Sequence, residues 1–292
     1  MKRKWLAVGI LVLLELLVCA GILAATWSGR AAFEGFRFLY AANTHLEETM
    51  EKTFAVDGPA VLDLESYTGD VTVTGGDRDD VEVIATLNLW GVDKEDARRQ
   101  VDVQMSQIGN RIKIRVVRPE KFFNFYTRGS RVDFEIHTPA ATSVQAAVDS
   151  GDLEICSVTG ALEVNTDYGS IKVEDVDGRV KARSESGGIV LSGLSNGGEV
   201  EAETDFGDLI LRDVTADSIT AHSSSGEIEA EDIALKGALN LETDYGDVTA
   251  TDVDAALCRL ESDSGSLKVK GCTGPLDLQT DFGGIEEQEA VE

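Results

Sequence analysis

Four short motifs hold the side chains with the best claim to chemistry. They are Asp167-Tyr168, Asp205-Phe206, Asp244-Tyr245 and Asp281-Phe282, each followed directly by a glycine. Carboxylates in such a series suit three tasks: the acid and base of glycoside hydrolysis, calcium ligation, or the capping of turns. Glycosidases need two carboxyls about 5–9.5 Å apart across a cleft. Calcium-binding repeats run on a nine-residue Gly/Asp period, which this chain does not have. Turn geometry accounts for the pattern without either, since Asp caps turns and Gly permits positive φ. The acids therefore read as turn chemistry, and no catalytic, cofactor-binding or metal-ligating residue is assigned. Nor does any Cys/His spacing resemble a zinc site: His45, His137 and His222 are isolated.

The aromatic partners of those acids, Tyr168, Phe206, Tyr245 and Phe282, are candidate partner-binding residues. A second candidate is the loop Pro119–Gly129, where Phe122, Phe123, Phe125 and Tyr126 sit between Lys121 and Arg128. Such a loop suits a glycan or a lipid headgroup, or else covers the open end of a stack of strands. It lies within the basic concentration of residues 94–131, which either meets phosphate-bearing polymers or complements the acidic remainder of the chain.

These motifs belong to a repeat. Gly151, Gly169, Gly187, Gly207, Gly226, Gly246, Gly265 and Gly283 follow one another at steps of 18 to 20 residues. A fixed period of that length marks a repeat architecture. Asp-aromatic turns alternate with serine turns (Ser150, Ser186, Ser225, Ser264), giving a two-coil rhythm. Within one unit, Leu239, Leu241 and Thr243 and then Val248, Ala250 and Val253 are the inward residues expected of two strands. Neighbouring units repeat the register, and each first strand closes on a Ser or Thr: Thr166, Ser184, Thr204, Ser223, Thr243, Ser262 and Thr280.

Two topologies could use these strands. In an antiparallel meander, equivalent residues lie two strands apart, ~9.6 Å, and cannot touch. In a solenoid they stack at ~4.8 Å as ladders. Hydroxyl ladders and one glycine per turn make physical sense only under stacking. The expected fold is all-β, a single-stranded parallel β-helix of ~19-residue coils over 141–285. The aspartates then recur at ~9.6 Å along a regular edge without inserted loops, away from any cleft.

Residues 53–140 form an N-terminal β part. Leu62, Leu64, Ser66, Val71 and Val73 fit the coil template, so an outlying coil is expected there. Asp93 is placed to cap a short helix, and 101–108 and 111–117 flank Gly109-Asn110 as a hairpin. Another strand, Arg131 to His137, ends at Pro139. Cys258 and Cys272 take inward positions near the two ends of one coil, so they read as small core residues or as a bridge; Cys156 points outward.

The net charge of −27 is unevenly spread: residues 1–140 carry −3 and residues 141–292 carry −24. That balance excludes nucleic acid as a partner, because phosphate binding needs a basic footprint. Met1-Lys2-Arg3-Lys4 precedes a largely apolar run from Trp5 to Trp27, interrupted by Glu15. The run matches the ~20 residues that span a bilayer, with its basic end cytoplasmic. A cleaved signal peptide and a lipoprotein signal ending at Cys19 are the alternatives. Residues 1–27 are thus expected as cytoplasmic start and transmembrane anchor, 28–52 as a juxtamembrane stalk and 286–292 as an acidic tail that discourages end-to-end strand addition.

Taken together, Glu65-Ser66-Tyr67-Thr68-Gly69-Asp70-Val71-Thr72-Val73, the strand Val132-Asp133-Phe134-Glu135-Ile136-His137-Thr138-Pro139 and the run Val148-Asp149-Ser150-Gly151-Asp152-Leu153-Glu154-Ile155, with the later Ser-Gly and aromatic-Gly turns, resemble the bacterial putative-adhesin domain family, a β-solenoid domain of unknown function. The resemblance covers nearly everything after Thr53. It implies a parallel β-helix, a location in the cell envelope and no established catalytic residues.

The expectation is then a single-pass membrane protein whose bulk is extracytoplasmic, a non-enzymatic adhesin-like binding or envelope-sensing module without cofactor. Its partner would be an envelope or surface component, whether glycan, lipid or protein, and the chain would be monomeric. A structural spacer or self-associating scaffold is the alternative, followed by a polysaccharide-acting β-helix enzyme.

Overall fold

The computed structural model describes residues 44–91, 93–118 and 130–288. The N-terminal part comprises β1 (Thr44–Ala55), β2 (Ala60–Thr68), β3 (Val71–Gly76), β4 (Asp80–Gly91), α1 (Lys94–Arg98), β5 (Asp102–Ile108), β6 (Arg111–Val117) and β7 (Arg131–Pro139). Eight coils follow. Their strands are β8 (Thr142–Ser150), β9 (Leu153–Cys156), β10 (Leu162–Tyr168), β11 (Ile171–Glu174), β12 (Val180–Ser186), β13 (Ile189–Phe206) and β14 (Leu209–Ser225). After them come β15 (Ile228–Leu235), β16 (Ala238–Tyr245), β17 (Val248–Asp254), β18 (Leu257–Ser264), β19 (Leu267–Cys272), β20 (Leu276–Thr280) and β21 (Ile285–Gln288).

The strands stack in two rows. One runs β8–β10–β12, then the C-terminal half of β13, that of β14, and β16–β18–β20, all parallel. The other runs β9–β11, the first halves of β13 and β14, and β15–β17–β19–β21, also parallel. β13 and β14 are long because each serves both rows. The core lies between the rows. Leu239, Leu241, Val248, Ala250 and Val253 are all buried, as are their counterparts in neighbouring coils. Full burial of each Leu, Ile or Val is worth roughly 1.5–3 kcal/mol, so equivalent residues add up coil by coil. The β-solenoid expected from the Gly period is therefore what forms.

The outlying coil at Leu62–Val73 also forms, and the stack reaches it by an unexpected route. β2 lies between β6 and β8, and β3 lies between β7 and β9, all parallel. The chain thus lays down one coil (β2–β3), steps back to build another beneath it (β6–β7), and crosses over to continue with β8. Buried Thr138 and Thr142 pin that crossing: their hydroxyls lie 2.7 Å apart, and Thr142 also donates to the Pro139 carbonyl at 2.7 Å.

Beyond β6–β7 the stack ends in antiparallel strands. β5 pairs with β6 as the expected hairpin, β4 pairs with β7, and β1 covers β4. α1 begins at Asp93, whose carboxylate accepts from the Asp96 N–H at 2.8 Å. Its Ala97 is fully buried against this end.

Two expected boundaries move. Residues 44–52, expected within the stalk, belong to β1, because their alternating half-buried side chains find a partner in β4, more than thirty residues away. Glu286–Gln288, expected as tail, form most of β21 on the last coil. The anchor over 1–27, the rest of the stalk and the aromatic loop lie outside the described residues. Among the described residues no helix is long and apolar enough to cross a membrane.

Candidate functional site: an aromatic edge held by a glycine column

Each coil turns from one row to the other at its glycine, and these glycines form a column. A Cβ built on Gly169 would sit 2.0 Å from the Gly151 carbonyl oxygen, and one on Gly226 would sit 1.9 Å from that of Gly207. The same contact recurs to Gly283, where the distance to the Gly265 oxygen is 1.9 Å. No side chain fits, because the backbones of successive coils touch there. The hydroxyl ladder explains how those inward carbonyls are satisfied. Thr166 donates to Gly151 O at 3.1 Å, Ser184 to Gly169 O at 2.9 Å, Thr204 to Gly187 O at 2.9 Å, and Thr243 to Gly226 O at 3.0 Å. Thus each Ser or Thr of the column from Thr166 to Thr280 reaches back one coil to cap the preceding glycine.

Asp is used here, though not at the positions singled out from sequence. The capping aspartates follow the glycine instead of preceding the aromatic. Asp152 accepts from the Ser170 N–H at 2.8 Å, Asp208 from the Glu227 N–H at 2.9 Å and Asp247 from the Ser266 N–H at 2.7 Å. Each bonds the next coil and not its own turn. The rows break at this corner, so those amides have no carbonyl in register, and a side chain supplies the acceptor.

Just before the glycine column the side chains point to solvent. Tyr168 is 63% exposed, Phe206 64%, Tyr245 66% and Phe282 79%. Tyr168 pairs with Ser150 on one side and Ser186 on the other; Phe206 lies between Ser186 and Ser225, and Tyr245 between Ser225 and Ser264. Successive rings are therefore two strand spacings apart, ~9.6 Å, in one file with serines in the gaps. The structure brings together four of the eight predicted site residues; Phe122, Phe123, Phe125 and Tyr126 lie outside the described residues.

An acid precedes each ring: Asp167, Asp205, Asp244 and Asp281. With Asp149, Glu185 and Asp263 they give nearly every coil a carboxylate at this edge. Crowding is felt at Asp149, whose carboxyl is held above the usual range, chiefly by partial burial and then by the charge of Asp167, with Arg118 opposing. Among the described residues no three His, Cys, Asp or Glu side chains converge as metal ligands would.

The basic residues flanking the first coils are engaged within the chain. Arg111 and Lys113 reach Asp63 at 3.5 and 3.3 Å, Arg115 pairs with Glu65, and Arg131 meets Asp70 and Asp133. An open groove of about 460 Å³ crosses the outer face of the β8 row between Arg111 and Arg179. Its bases are likewise paired, Arg179 with Glu199 and Lys181 with Glu201. Cys258 and Cys272 are free thiols, and the neighbouring Cys258 together with burial holds the Cys272 thiol well above its usual range. Cys156 is half-buried, its thiol donating to Thr74 Oγ1 at 3.5 Å.

A second corner was missed from sequence. Ser157, Asp175, Asp213, Asp232 and Asp252 have φ of 52–59°, and Gly193 and Gly271 in the same column have φ of 63° and 70°. Each stands six residues after a column glycine. Asp and Gly at that fixed offset were the available signal, since few other residues accept this conformation.

A parallel two-row β-solenoid with a glycine-locked, aromatic-studded edge defines a repeat scaffold that presents side chains in a fixed array. The chain belongs to the Toastrack DUF4097 family, whose model matches residues 60–275. No curated protein matches it. Among solved structures it is similar to a putative adhesin from Bacteroides fragilis (11% identity, 82% of this chain and 97% of that one, TM-score 0.47). A second, from Parabacteroides distasonis, is also a putative adhesin (14% identity, 84% and 97%, TM-score 0.42). A third, from the same organism, is a putative lipid binding protein (15% identity, 84% and 97%, TM-score 0.36).

Proposed function

We propose that this protein is a non-enzymatic binding module of the cell envelope, tethered by its apolar N-terminal run, with its solenoid outside the cytoplasm. The observation that carries the reading is the file of four solvent-exposed rings on the edge where the glycine column brings successive coils into backbone contact. Large aromatics left in water at this density mark contact surfaces, and a rigid array loses little entropy when a partner is bound. The apolar run from Trp5 to Trp27 and its basic flank support the membrane tether.

The spacer or scaffold reading is disfavoured by the two ends of the stack. β1 carries Glu47, Glu48 and Glu51, and β21 carries Glu286 and Glu287, so both edge strands are charged against strand addition. The chain is accordingly a monomer in this reading.

The test is retention of the full-length protein on sedimented envelope fragments, comparing wild type with the triple variant Tyr168→Ser, Phe206→Ser and Tyr245→Ser. Serine already occupies this column on alternate coils, so the fold should be kept and circular dichroism should be unchanged. Loss of retention by the triple variant is expected. Equal retention of both proteins would remove the aromatic edge from the account.

A further inference from the structure

We infer that the aromatic edge binds an extended, uncharged β-1,4-linked glycan; this deepens the binding-module reading and rests on it. The first argument is the period. Rings recur every second coil, ~9.6 Å apart, with serine on the coil between. In a flat β-1,4-linked chain each sugar is turned over relative to the last, so one face recurs every second sugar. Each pyranose advances the chain by roughly the ~5 Å of one strand spacing. A glycan laid along the edge would therefore offer the same C–H face to Tyr168, Phe206, Tyr245 and Phe282 in turn.

The second argument is hydrogen-bond polarity. Immediately before each ring in the chain is a solvent-accessible carboxylate: Asp167, Asp205, Asp244 or Asp281. Ionised carboxylates accept and do not donate, so a ligand lying across the rings must bring donors, which sugar hydroxyls do. Phosphate-bearing lipid headgroups bring acceptors and negative charge to a region whose residues 141–292 already carry a net −24. A proline-rich peptide has a similar repeat, about 9.3 Å per turn of polyproline II. It presents mainly carbonyl acceptors, because proline lacks an N–H. It also docks between rings that line a groove, whereas these rings stand in single file with serine between them. Strand addition is closed at this edge too, since the strands of both rows are already paired with their neighbours.

The experiment uses purified full-length protein and four probes: insoluble chitin, microcrystalline cellulose, amylose and phosphatidylglycerol vesicles. The expected result is retention on the two β-1,4 glycans, release by soluble chitohexaose, and none on amylose or vesicles. Phe206→Ser should weaken chitin binding about tenfold, the scale of one buried aromatic contact. The decisive variant is Phe206→Ser with Ser225→Phe, which keeps four rings and breaks their beat; it should bind as weakly as Phe206→Ser alone. Wild-type affinity in that variant, equal retention on all four probes, or release by a proline-rich peptide but not by chitohexaose would overturn the inference. If the ring variants lose envelope binding while wild type ignores chitin and cellulose, the glycan falls and the binding module stands. Should the ring variants keep envelope binding as well, both fall.

Discussion

The regular coils of residues 142–288 and the irregular end of residues 44–139 are built from the same kinds of strand, and they are held in different ways. Along the regular coils every turn carries a glycine touching the glycine of the previous coil, and from Thr166 to Thr280 a hydroxyl on each coil closes the carbonyl that this contact leaves inward. At the other end the β6–β7 coil is flanked by antiparallel strands, β5 on β6 and β4 on β7. The difference is visible at Ser66, which occupies the hydroxyl column of the β2 coil. Its oxygen is buried and has no partner, although the Val132 carbonyl oxygen, 2.0 Å from a Cβ built on Gly69, stands where a glycine carbonyl stands in the regular coils. Repetition thus makes the polar interior self-satisfying, and the first coil shows the cost of starting it.

The largest predicted effect separates the two regions at their glycines. Gly226→Ala forces a Cβ to 1.9 Å from a backbone oxygen, and should destabilise by about 4 kcal/mol or more, the range of severe core lesions. Gly76→Ala, with open space around the new methyl, should change stability by no more than about 0.5 kcal/mol. Chemical denaturation of both variants compares them directly; similar midpoints would mean that the column does not lock the stack.

The hydroxyl column gives the next contrast. Thr243→Val removes the donor to the buried Gly226 carbonyl and should cost about 1–3 kcal/mol. Ser66→Ala removes a hydroxyl that is buried without a partner, so it should be neutral or stabilising by the same assay. If both substitutions cost the same, the coil-to-coil cap is not what the hydroxyls contribute.

A smaller effect depends on pH. The Asp149 carboxyl is raised in the folded protein by burial and by Asp167. Such a group favours the folded state below its unfolded pKa, and that contribution is lost as pH rises through the folded value. Asp149→Asn should therefore raise the melting temperature at pH 7 and give no gain at pH 3. A gain of equal size at both values would exclude charge as its origin.

The smallest effect is at the surface. Arg183 and Glu203 pair across coils at 3.0 Å with both side chains partly in solvent, so Arg183→Ala should cost about 0.2–1 kcal/mol. Arg78 bridges Asp80 and Glu82 with only a quarter of its side chain exposed, and its guanidinium is held above its usual range by the Asp80 hydrogen bond. Arg78→Ala should cost more than Arg183→Ala, and the reverse order would show that exposure does not rank these pairs.

The same regional difference decides what was legible in the sequence. The coils could be read because each inward residue, glycine and hydroxyl recurs at a step of 18 to 20 residues, so a local pattern implies its own non-local partner. β1 could not: residues 44–52 look like a charged stalk, and only pairing with β4 makes their alternation a strand. The insertion of β2–β3 between β6–β7 and β8–β9 was also hidden, because period-two alternation does not specify stacking order. At the candidate site the four rings and their spacing were legible. The assignment of caps to the aspartates before the rings was not, since Asp152, Asp208 and Asp247 bond to amides of the following coil, a contact that exists only once the coils are stacked.

The most direct measurement on the aromatic edge is amide hydrogen exchange of the full-length protein with and without saturating chitohexaose. The account predicts slowed exchange at the turns following Tyr168, Phe206 and Tyr245, recurring on alternate coils, with the β4–β7 end unchanged. Protection centred on the groove between Arg111 and Arg179, or binding without protection at those turns, would contradict it.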